Sequence, residues 1–356
     1  MQHRFSRSRY RAHGLTVVEL LIVIVIIGIL AGLLLPAINA ARKRGQITAI
    51  SLEIQNLKNA VEQYKQTYGD YPPDGTNINV VLRHLRVVFP RIHPSELVFF
   101  ESTIRVPDDP TGSTIMDPAE ALCFFLGGFS EDPRYPLTGE GGPLVRFPIA
   151  DPTRLVRNNS RENAIFDFSP ERLTVLQANF TPVPNWDVNV ADYLFPVYIP
   201  AHSELPYVYF DSRTYLPRAS YGGGNSAMYP SFRDLFLFNN QSLPTVGGAV
   251  VNNVDSRFWQ WDSLAPKLRE VGIARPYRSD QIRTPNQEDV HIAKWVNPES
   301  FQIISAGLNN RFGGEEIQGE FRRYSNIHFS SGDNYSDGDL SNITNFSRGQ
   351  LEDELP

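Results

Sequence analysis

The chain has 356 residues, of which 41% are hydrophobic and 20% are charged, and its formal net charge is −6. These proportions are typical of folded globular proteins, and the acidic charge without a basic patch argues against nucleic acid as a partner. Cys123 is the only cysteine, which excludes an intramolecular disulfide.

The first predicted element is a membrane-spanning helix. From Leu20 to Ala41 the chain has 22 consecutive residues without a charge, and about 20 apolar residues are enough to cross a bilayer core. A secretory signal peptide has a shorter apolar region, of roughly 7–15 residues, and a small-residue cleavage site that this sequence lacks. Glu19 lies in this block, where an unpaired carboxylate costs about 3 kcal/mol in lipid. We therefore predict that Glu19 has a partner and a function.

Residues around this helix form a specific pattern. The segment Gly14-Leu-Thr-Val-Val-Glu-Leu-Leu, with basic residues before it and Pro36 after it, resembles the N-terminal signature of type IV pilins and type II secretion pseudopilins. The resemblance implies that a prepilin peptidase cleaves between Gly14 and Leu15 and that the new N-terminus is methylated. Leu15 departs from the phenylalanine that is usual in the family. The pattern covers about 40 residues, so it implies little about the remainder.

The resemblance also implies an organisation and a location. Four arginines precede the apolar run and three basic residues follow it, a small bias toward a cytoplasmic N-terminus. We expect a single-pass protein of the bacterial inner membrane with a periplasmic body. The predicted parts are a leader (1–14), a transmembrane and assembly helix (15–41), an amphipathic helix that continues into the globular domain (42–70), and a periplasmic domain (71–356) with an insertion at about 131–290.

Poor helix formers occur at four-residue spacing within the membrane helix, at Gly28, Gly32 and Pro36. The two glycines form a G-x-x-x-G pattern that allows close helix approach, although glycine is also common in membrane helices generally. Pro36 removes one backbone hydrogen bond, so we predict a kink or weak point there.

Apolar residues then recur at alternating steps of three and four, which predicts an amphipathic helix packed on a core. Polar residues such as Glu53 occupy the intervening positions. We predict that the helix ends at Gly69, because Pro72-Pro73 cannot continue it. A coiled coil is the alternative, but the run covers only about three heptads. The apolar residues are Ile47, Ile50, Ile54, Leu57, Val61, Tyr64 and Tyr68.

Downstream, the sequence predicts an α+β domain, in which the long N-terminal helix packs on a C-terminal antiparallel sheet with a large irregular insertion. Asn79 to Phe89 and Pro118 to Phe129 predict helices. Cys123, in the second of them, has apolar neighbours and is expected to be a core residue. Strands are predicted at 193–199, 206–210 and 301–308.

Two segments narrow the resemblance. Tyr64 to Pro73, with YK, a glycine and then YP, is similar to the end of the long helix in the major pseudopilin of type II secretion. Phe301 to Leu308 resembles the last strand of that protein, where the strand opens a calcium-binding loop. Asn309-Asn310 replaces the Asp-Gly of that loop, so the correspondence is incomplete.

An acidic loop near the C-terminus is the predicted metal site. Oxygen ligands clustered in a glycine-containing loop suit calcium, which is the one cofactor that the sequence suggests. The loop does not match an EF-hand, because Tyr335 and Thr344 occupy its third and twelfth positions. A solvated acidic loop is the alternative. The candidate ligands are Asp333, Asp337, Asp339 and Asn342.

The sequence carries no catalytic motif of useful specificity, such as G-x-S-x-G, H-E-x-x-H or G-x-x-x-x-G-K, so we predict that the protein is not an enzyme. The resemblance implies a structural subunit of a type II secretion pseudopilus or a related type IV pilus-like filament. Its partners would be further copies of itself, a prepilin peptidase, an inner-membrane assembly platform and minor pseudopilins. The alternatives are a type IV pilus subunit, or a membrane-anchored periplasmic binding protein or hydrolase with a pilin-like anchor.

Overall fold

The long N-terminal helix α1 (Val17–Tyr68) contributes to two units of the chain, residues 1–46 and residues 47–356. The fold is given by a computed structural model. It describes residues 16–104, 116, 118–146, 155–174, 195–215, 218–219, 227–228, 245–246, 249–250, 274, 276–277, 295–312, 316–317, 320–321 and 337–354.

The described part of the first unit is the apolar half of α1. Every valine, isoleucine and leucine side chain from Val17 to Ile38 is at least 44% exposed. A helix that is hydrophobic all round is typical of a membrane span or of a bundle core, and this helix is long and apolar enough to cross a membrane. The helix continues through Pro36 without a break.

The second half of α1 packs by one stripe, as predicted. The helix ends at Tyr68, and Gly69 follows with a φ of +83°, a left-handed conformation that glycine adopts without strain. The stripe lies in the hydrophobic core of the second unit, which confirms the predicted packing on the protein's own domain. Its buried residues are Ile50, Ile54, Leu57, Ala60, Val61 and Tyr64.

Three shorter helices follow, α2 (Ile78–Val88), α3 (Pro94–Ile104) and α4 (Pro118–Leu126). All nine residues of α4 are buried, so Cys123 is a core residue as predicted, and burial raises the pKa of its thiol.

The buried end of α4 is capped by a side chain. The last carbonyls of a helix lack partners within it, and the Arg161 guanidinium donates to the carbonyl oxygens of Cys123 (2.9 Å), Phe124 (2.5 Å) and Gly128 (2.6 Å). Burial lowers the pKa of Arg161 to about 10, which still leaves the guanidinium charged at neutral pH.

The strands are antiparallel and short. The principal sheet has the order β13-β10-β5, and the other strands pair two by two as neighbours in sequence. In chain order the strands are β1 (Leu144–Arg146), β2 (Leu155–Arg157), β3 (Leu173–Thr174), β4 (Val197–Tyr198), β5 (Val208–Asp211), β6 (Arg218–Ala219), β7 (Ala227–Met228), β8 (Thr245–Val246), β9 (Ala249–Val250), β10 (Phe301–Ser305), β11 (Glu316–Ile317), β12 (Glu320–Phe321) and β13 (Ile343–Thr344).

Strand β10 is the centre of the principal sheet, and all five of its residues are buried. Ile303 lies opposite Tyr209 of β5, and Ile304 lies opposite Thr344 of β13. The predicted α+β class is therefore confirmed. Much of the predicted insertion at 131–290 lies outside the described residues, and the domain boundaries stay predictions.

Candidate functional site

The N-terminal end of α1 holds Glu19 in a local hydrogen-bonded pair with Thr16. Glu19 Oε2 accepts from the backbone N–H (2.8 Å) and the hydroxyl (2.9 Å) of Thr16, and the Glu19 N–H donates to Thr16 Oγ1 at 3.2 Å. This reciprocal arrangement is a capping box, which satisfies backbone donors at the start of a helix. The sequence prediction missed it, although Thr-x-x-Glu before an apolar run is its signature.

The other carboxylate oxygen of Glu19 is available. In the described part of the chain only Oε2 accepts a hydrogen bond, whereas a carboxylate accepts about four. The side chain is exposed, between the exposed Val18 and Leu20. Glu19 is thus capped by Thr16, and its Oε1 accepts no hydrogen bond from the described residues. Gly14 and Leu15 lie outside the described residues, so the predicted cleavage site is not located.

Further along α1, Glu53 connects the helix to the domain through an ion pair and hydrogen bonds. Its carboxylate pairs with Arg172 Nη2 (2.5 Å) and accepts from the hydroxyls of Tyr207 (2.5 Å) and Tyr198 (3.2 Å). Arg172 also lies over the Tyr198 ring, 4.3 Å from its centre. Burial and the Glu53 carboxylate raise the pKa of Tyr207. The sequence pattern places Glu53 on the polar side of the helix, whereas its side chain is only 17% exposed and anchors the surrounding segment.

The loop after α1 is held by Arg213. Its guanidinium donates to Asp70 Oδ2 (2.6 Å), Asp211 Oδ2 (2.6 Å) and the carbonyl of Tyr71 (2.7 Å). Buried Asp74 supports the same loop, because its carboxylate accepts from the backbone N–H of Asp211 at 3.3 Å. One arginine therefore connects the end of α1 to the strand β5.

Burial shifts the pKa values of Asp211 and His84 in this region. Burial, opposed by Arg213 and assisted by the negative charge of Asp74, raises the pKa of Asp211 to about 7. Burial, assisted by Arg213 and opposed by Asp70, lowers the pKa of His84 to about 4. His84 is therefore neutral at physiological pH, and its Nε2 lies 2.8 Å from the Tyr64 hydroxyl.

The structure brings two predicted metal ligands together. The Tyr277 hydroxyl donates to Asp339 Oδ1 (2.8 Å) and accepts from Asn342 Nδ2 (2.7 Å), and both side chains are buried. Asn342 Oδ1 is buried and accepts no hydrogen bond from the described residues. Asp337 begins a short helix that ends at Leu340, and Asp333 lies outside the described residues.

These positions fit a cation only in part. Asn342 Oδ1 is a spare oxygen beside a buried carboxylate, which suits a hard cation. Among the described residues, however, no three His, Cys, Asp or Glu side chains form a group that could hold a metal ion. Calcium binding therefore stays a prediction.

The C-terminal segment has a tether that does not need calcium. Asn345 Oδ1 accepts from the Ile303 N–H (2.9 Å), and the Asn345 N–H donates to the Ile303 carbonyl (3.1 Å). Asn345 Nδ2 also donates to the Phe301 carbonyl at 3.3 Å.

Calcium binding has a direct test. A metal that binds only the folded state raises stability by mass action, so the domain from residue 42 onward should melt at a higher temperature in calcium than in chelator. Asp337→Ala with Asp339→Ala should remove the difference. The matched control, Glu352→Ala with Asp353→Ala, removes two exposed acids elsewhere and should preserve it. Equal melting temperatures for the unsubstituted domain would show that calcium is not bound.

The N-terminal part of the chain is similar to known proteins. Residues 9–35 match the model of the prokaryotic N-terminal methylation motif. The chain is 28% identical over 113 residues to the type II secretion system core protein G of Pectobacterium carotovorum subsp. carotovorum, covering 32% of this chain and 70% of that protein.

Matches to pilins are shorter. The chain is 40% identical over 67 residues to the type IV major pilin protein PilE of Neisseria gonorrhoeae, covering 19% of this chain and 40% of that protein. It is 39% identical over 67 residues to a fimbrial protein of Neisseria meningitidis serogroup A, covering 19% of this chain and 39% of that protein. The matches thus span about two fifths of the length of these Neisseria proteins. No solved structure matches the chain.

Proposed function

Because the chain is a protein of the pilin and pseudopilin family, we propose that it is a structural subunit of a type II secretion pseudopilus or a related pilus-like filament. The observation that carries this proposal is the helix from Val17 to Ile38, whose large apolar side chains are all exposed. Such a surface is stable only when lipid or other helices cover it. The membrane covers it before assembly, and neighbouring copies of the same helix cover it in the filament.

The Oε1 atom of Glu19 sets how neighbouring helices are aligned along their length in this packing. Cleavage after Gly14 creates a positive amine at Leu15. In the filament this amine pairs with Glu19 of a neighbouring subunit, so that neither charge is left alone in an apolar environment. The capping box supports this role, because it occupies Oε2 and leaves Oε1 unbonded within the described chain.

The proposal includes the location and partners of the subunit. It is inserted once in the bacterial inner membrane, with its N-terminus in the cytoplasm and its body in the periplasm. A prepilin peptidase matures it, and an inner-membrane assembly platform and minor pseudopilins act in its assembly. The longer alignment with a protein named for type II secretion favours a pseudopilus. The more identical but shorter alignments with pilins support a type IV pilus as the second candidate.

The mature chain provides the test. We expect it to begin at Leu15, to carry one added methyl group on its amine, and to sediment in sheared filaments. Gly14→Leu places a bulky side chain beside the scissile bond and should leave the precursor uncleaved. Gly45→Leu is the matched control, because, apart from the helix's own nearby backbone, no atom of the described residues lies within 4 Å of a Cβ at that position. A mature chain that starts at residue 1, or after Ala31, would contradict the proposal.

A further inference from the structure

Helix α2 presents a basic face to solvent. Arg83 and Arg86 are exposed three residues apart, and Val87 beside them is 61% exposed. Residues three and four apart are neighbours on a helix surface, so these side chains form one patch. Exposed Arg91 follows the helix, and no acidic residue occurs between Asp74 and Glu96. We call Arg83, Arg86, Val87 and Arg91 the α2 basic face.

The orientation of this face is fixed by packing. Val81, Leu82 and Leu85 of α2 are buried in the core, with at most 4% exposure, so the arginines cannot turn inward. The patch is not evident in the sequence, because the arginines are separated along the chain by apolar and other uncharged residues. The helix brings Arg83 and Arg86 to one side.

The arginines of this face have no partner in the described part of the chain. The salt bridges there join Arg172 to Glu53 and Arg213 to Asp70 and Asp211, and none involves the α2 basic face. Arginine is enriched where two protein surfaces meet, and an apolar centre with a charged rim is usual for such surfaces. The face is thus available to another molecule.

The chain also presents an exposed acidic surface. Near the C-terminus a 3-10 turn runs from Leu351 to Glu354, with Leu351 buried and Glu352, Asp353 and Glu354 exposed. Glu354 accepts a hydrogen bond from the Arg348 N–H at 2.7 Å. No hydrogen bond or salt bridge to the Glu352 or Asp353 carboxylate exists among the described residues. We call Glu352, Asp353 and Glu354 the acidic turn.

We propose that the α2 basic face of one subunit docks on the acidic turn of a neighbouring subunit. This inference rests on the proposed assembly into filaments. Removal of residues 1–14 takes away four arginines and no acid, which changes the net charge of the chain from −6 to −10. Mature copies therefore repel one another overall, and approach requires a local pair of opposite surfaces. Because the described residues of one chain offer no ion pair to these arginines or to the Glu352 and Asp353 carboxylates, the two surfaces can meet between chains.

The docking determines the relative orientation of neighbouring domains more than the affinity between subunits. An exposed ion pair contributes only about 0–1 kcal/mol and is screened by salt, whereas complementary charge selects among orientations and speeds encounter. The apolar half of α1 supplies the affinity. The basic face and the acidic turn then select which rotation between neighbouring domains is populated.

Cysteine cross-linking tests the contact in the full-length chain. Cys123 is buried with a raised thiol pKa, so introduced surface cysteines react first. Arg86→Cys and Asp353→Cys chains are produced in the same cells and treated with a short bismaleimide. We expect a cross-linked dimer. The control pair, Glu131→Cys with Asp353→Cys, also places its cysteines at exposed positions and should give none.

Charge reversal shows whether opposite charge causes the contact. Arg83→Glu with Arg91→Glu in the Arg86→Cys chain should lower the dimer yield about fivefold, as loss of roughly 1 kcal/mol predicts. Glu352→Lys with Glu354→Lys in the partner chain should restore it. Unchanged yield after the first reversal, or no recovery after the second, would overturn the docking.

Two further measurements distinguish lipid binding and failure of filament assembly from failure of the docking alone. The Arg86→Cys chain is also labelled in proteoliposomes of phosphatidylglycerol and in proteoliposomes of phosphatidylcholine. If only phosphatidylglycerol protects the cysteine from labelling, and no cross-linked dimer forms, the α2 basic face binds lipid headgroups and the proposal is overturned. Filaments are collected from the same cells. Filaments without the cross-link would overturn only the docking, whereas the absence of filaments from the unsubstituted chain would overturn the proposed function.

Discussion

Glu19→Ala is expected to leave cleavage after Gly14 largely intact and to abolish or greatly slow incorporation into filaments. The substitution removes the carboxylate that we propose pairs with the amine of Leu15. An unpaired charge in a membrane costs about 3 kcal/mol, which corresponds to roughly a hundredfold in an equilibrium constant. The measurement is the ratio of mature subunit in sheared filaments to mature subunit in membranes.

The capping box supplies the control for this prediction. Glu19→Ala also removes an N-terminal cap, which is worth about 1 kcal/mol. Thr16→Val removes the hydroxyl that donates to Glu19 Oε2 but keeps the carboxylate. If Glu19 acts between subunits, Thr16→Val should still form filaments. Equal loss in both variants would mean that the cap is the whole effect, and normal filaments with alanine at position 19 would exclude the pairing.

Arg213→Ala should destabilise the domain from residue 42 onward by about 3–5 kcal/mol, because it leaves a buried carboxylate without its cation. The Asp211 side chain is 1% exposed, and Arg213 Nε lies 2.6 Å from its Oδ2. The variant also frees Asp70 and the Tyr71 carbonyl at the end of α1. Urea denaturation measures the change. Arg348→Ala, at an exposed arginine, should change the unfolding free energy by less than about 0.5 kcal/mol.

The pH dependence identifies Asp211 as the cause. Burial raises the pKa of Asp211 to about 7, above its value of about 3.9 in an unfolded chain. The folded state therefore holds a proton that the unfolded state releases, and this contribution to stability is full below about pH 4 and is lost as pH rises toward 7. Arg213 opposes the shift, so its removal extends the loss to higher pH. The cost of Arg213→Ala should be larger at pH 8 than at pH 5.

A double variant isolates the contribution of Asp211. Burial is the main cause of the lowered pKa of His84, about 4, so His84 is neutral at both pH values in the unsubstituted domain. In the double variant Asp211→Asn with Arg213→Ala no buried charge remains at position 211, so the extra cost at pH 8 should disappear. A cost of Arg213→Ala that is equal at both pH values would show that Arg213 acts through packing alone.

Local patterns predicted α1 well, because its packing repeats at the period of the helix. The stripe from Ile50 to Tyr64 and the stop at Gly69 follow from the spacing of apolar residues and from one glycine. The capping box was also legible, because Thr16 and Glu19 are three residues apart. The predicted stripe and the missed capping box both depend on interactions within a few turns of one helix.

The anchoring contacts could not be predicted in this way. Glu53 meets Arg172 and Tyr207, which lie 119 and 154 residues away in sequence, and nothing in the local pattern of α1 distinguishes it from a solvated glutamate. Asn345 likewise gains its role only when β13 lies beside β10. Such pairs depend on the fold as a whole, so a single sequence shows the residue types but not their partners.

The pairing of β3 with β4 has a consequence for engineering. Leu173 lies opposite Tyr198, and Thr174 lies opposite Val197, so the two flanks of the intervening sequence are held side by side next to Glu53. When the ends of a loop are fixed, doubling its length costs only about 0.6 kcal/mol. An epitope tag or a reporter peptide inserted between Thr174 and Phe195 should therefore add little to the cost of closure, while α1 and the principal sheet keep their contacts.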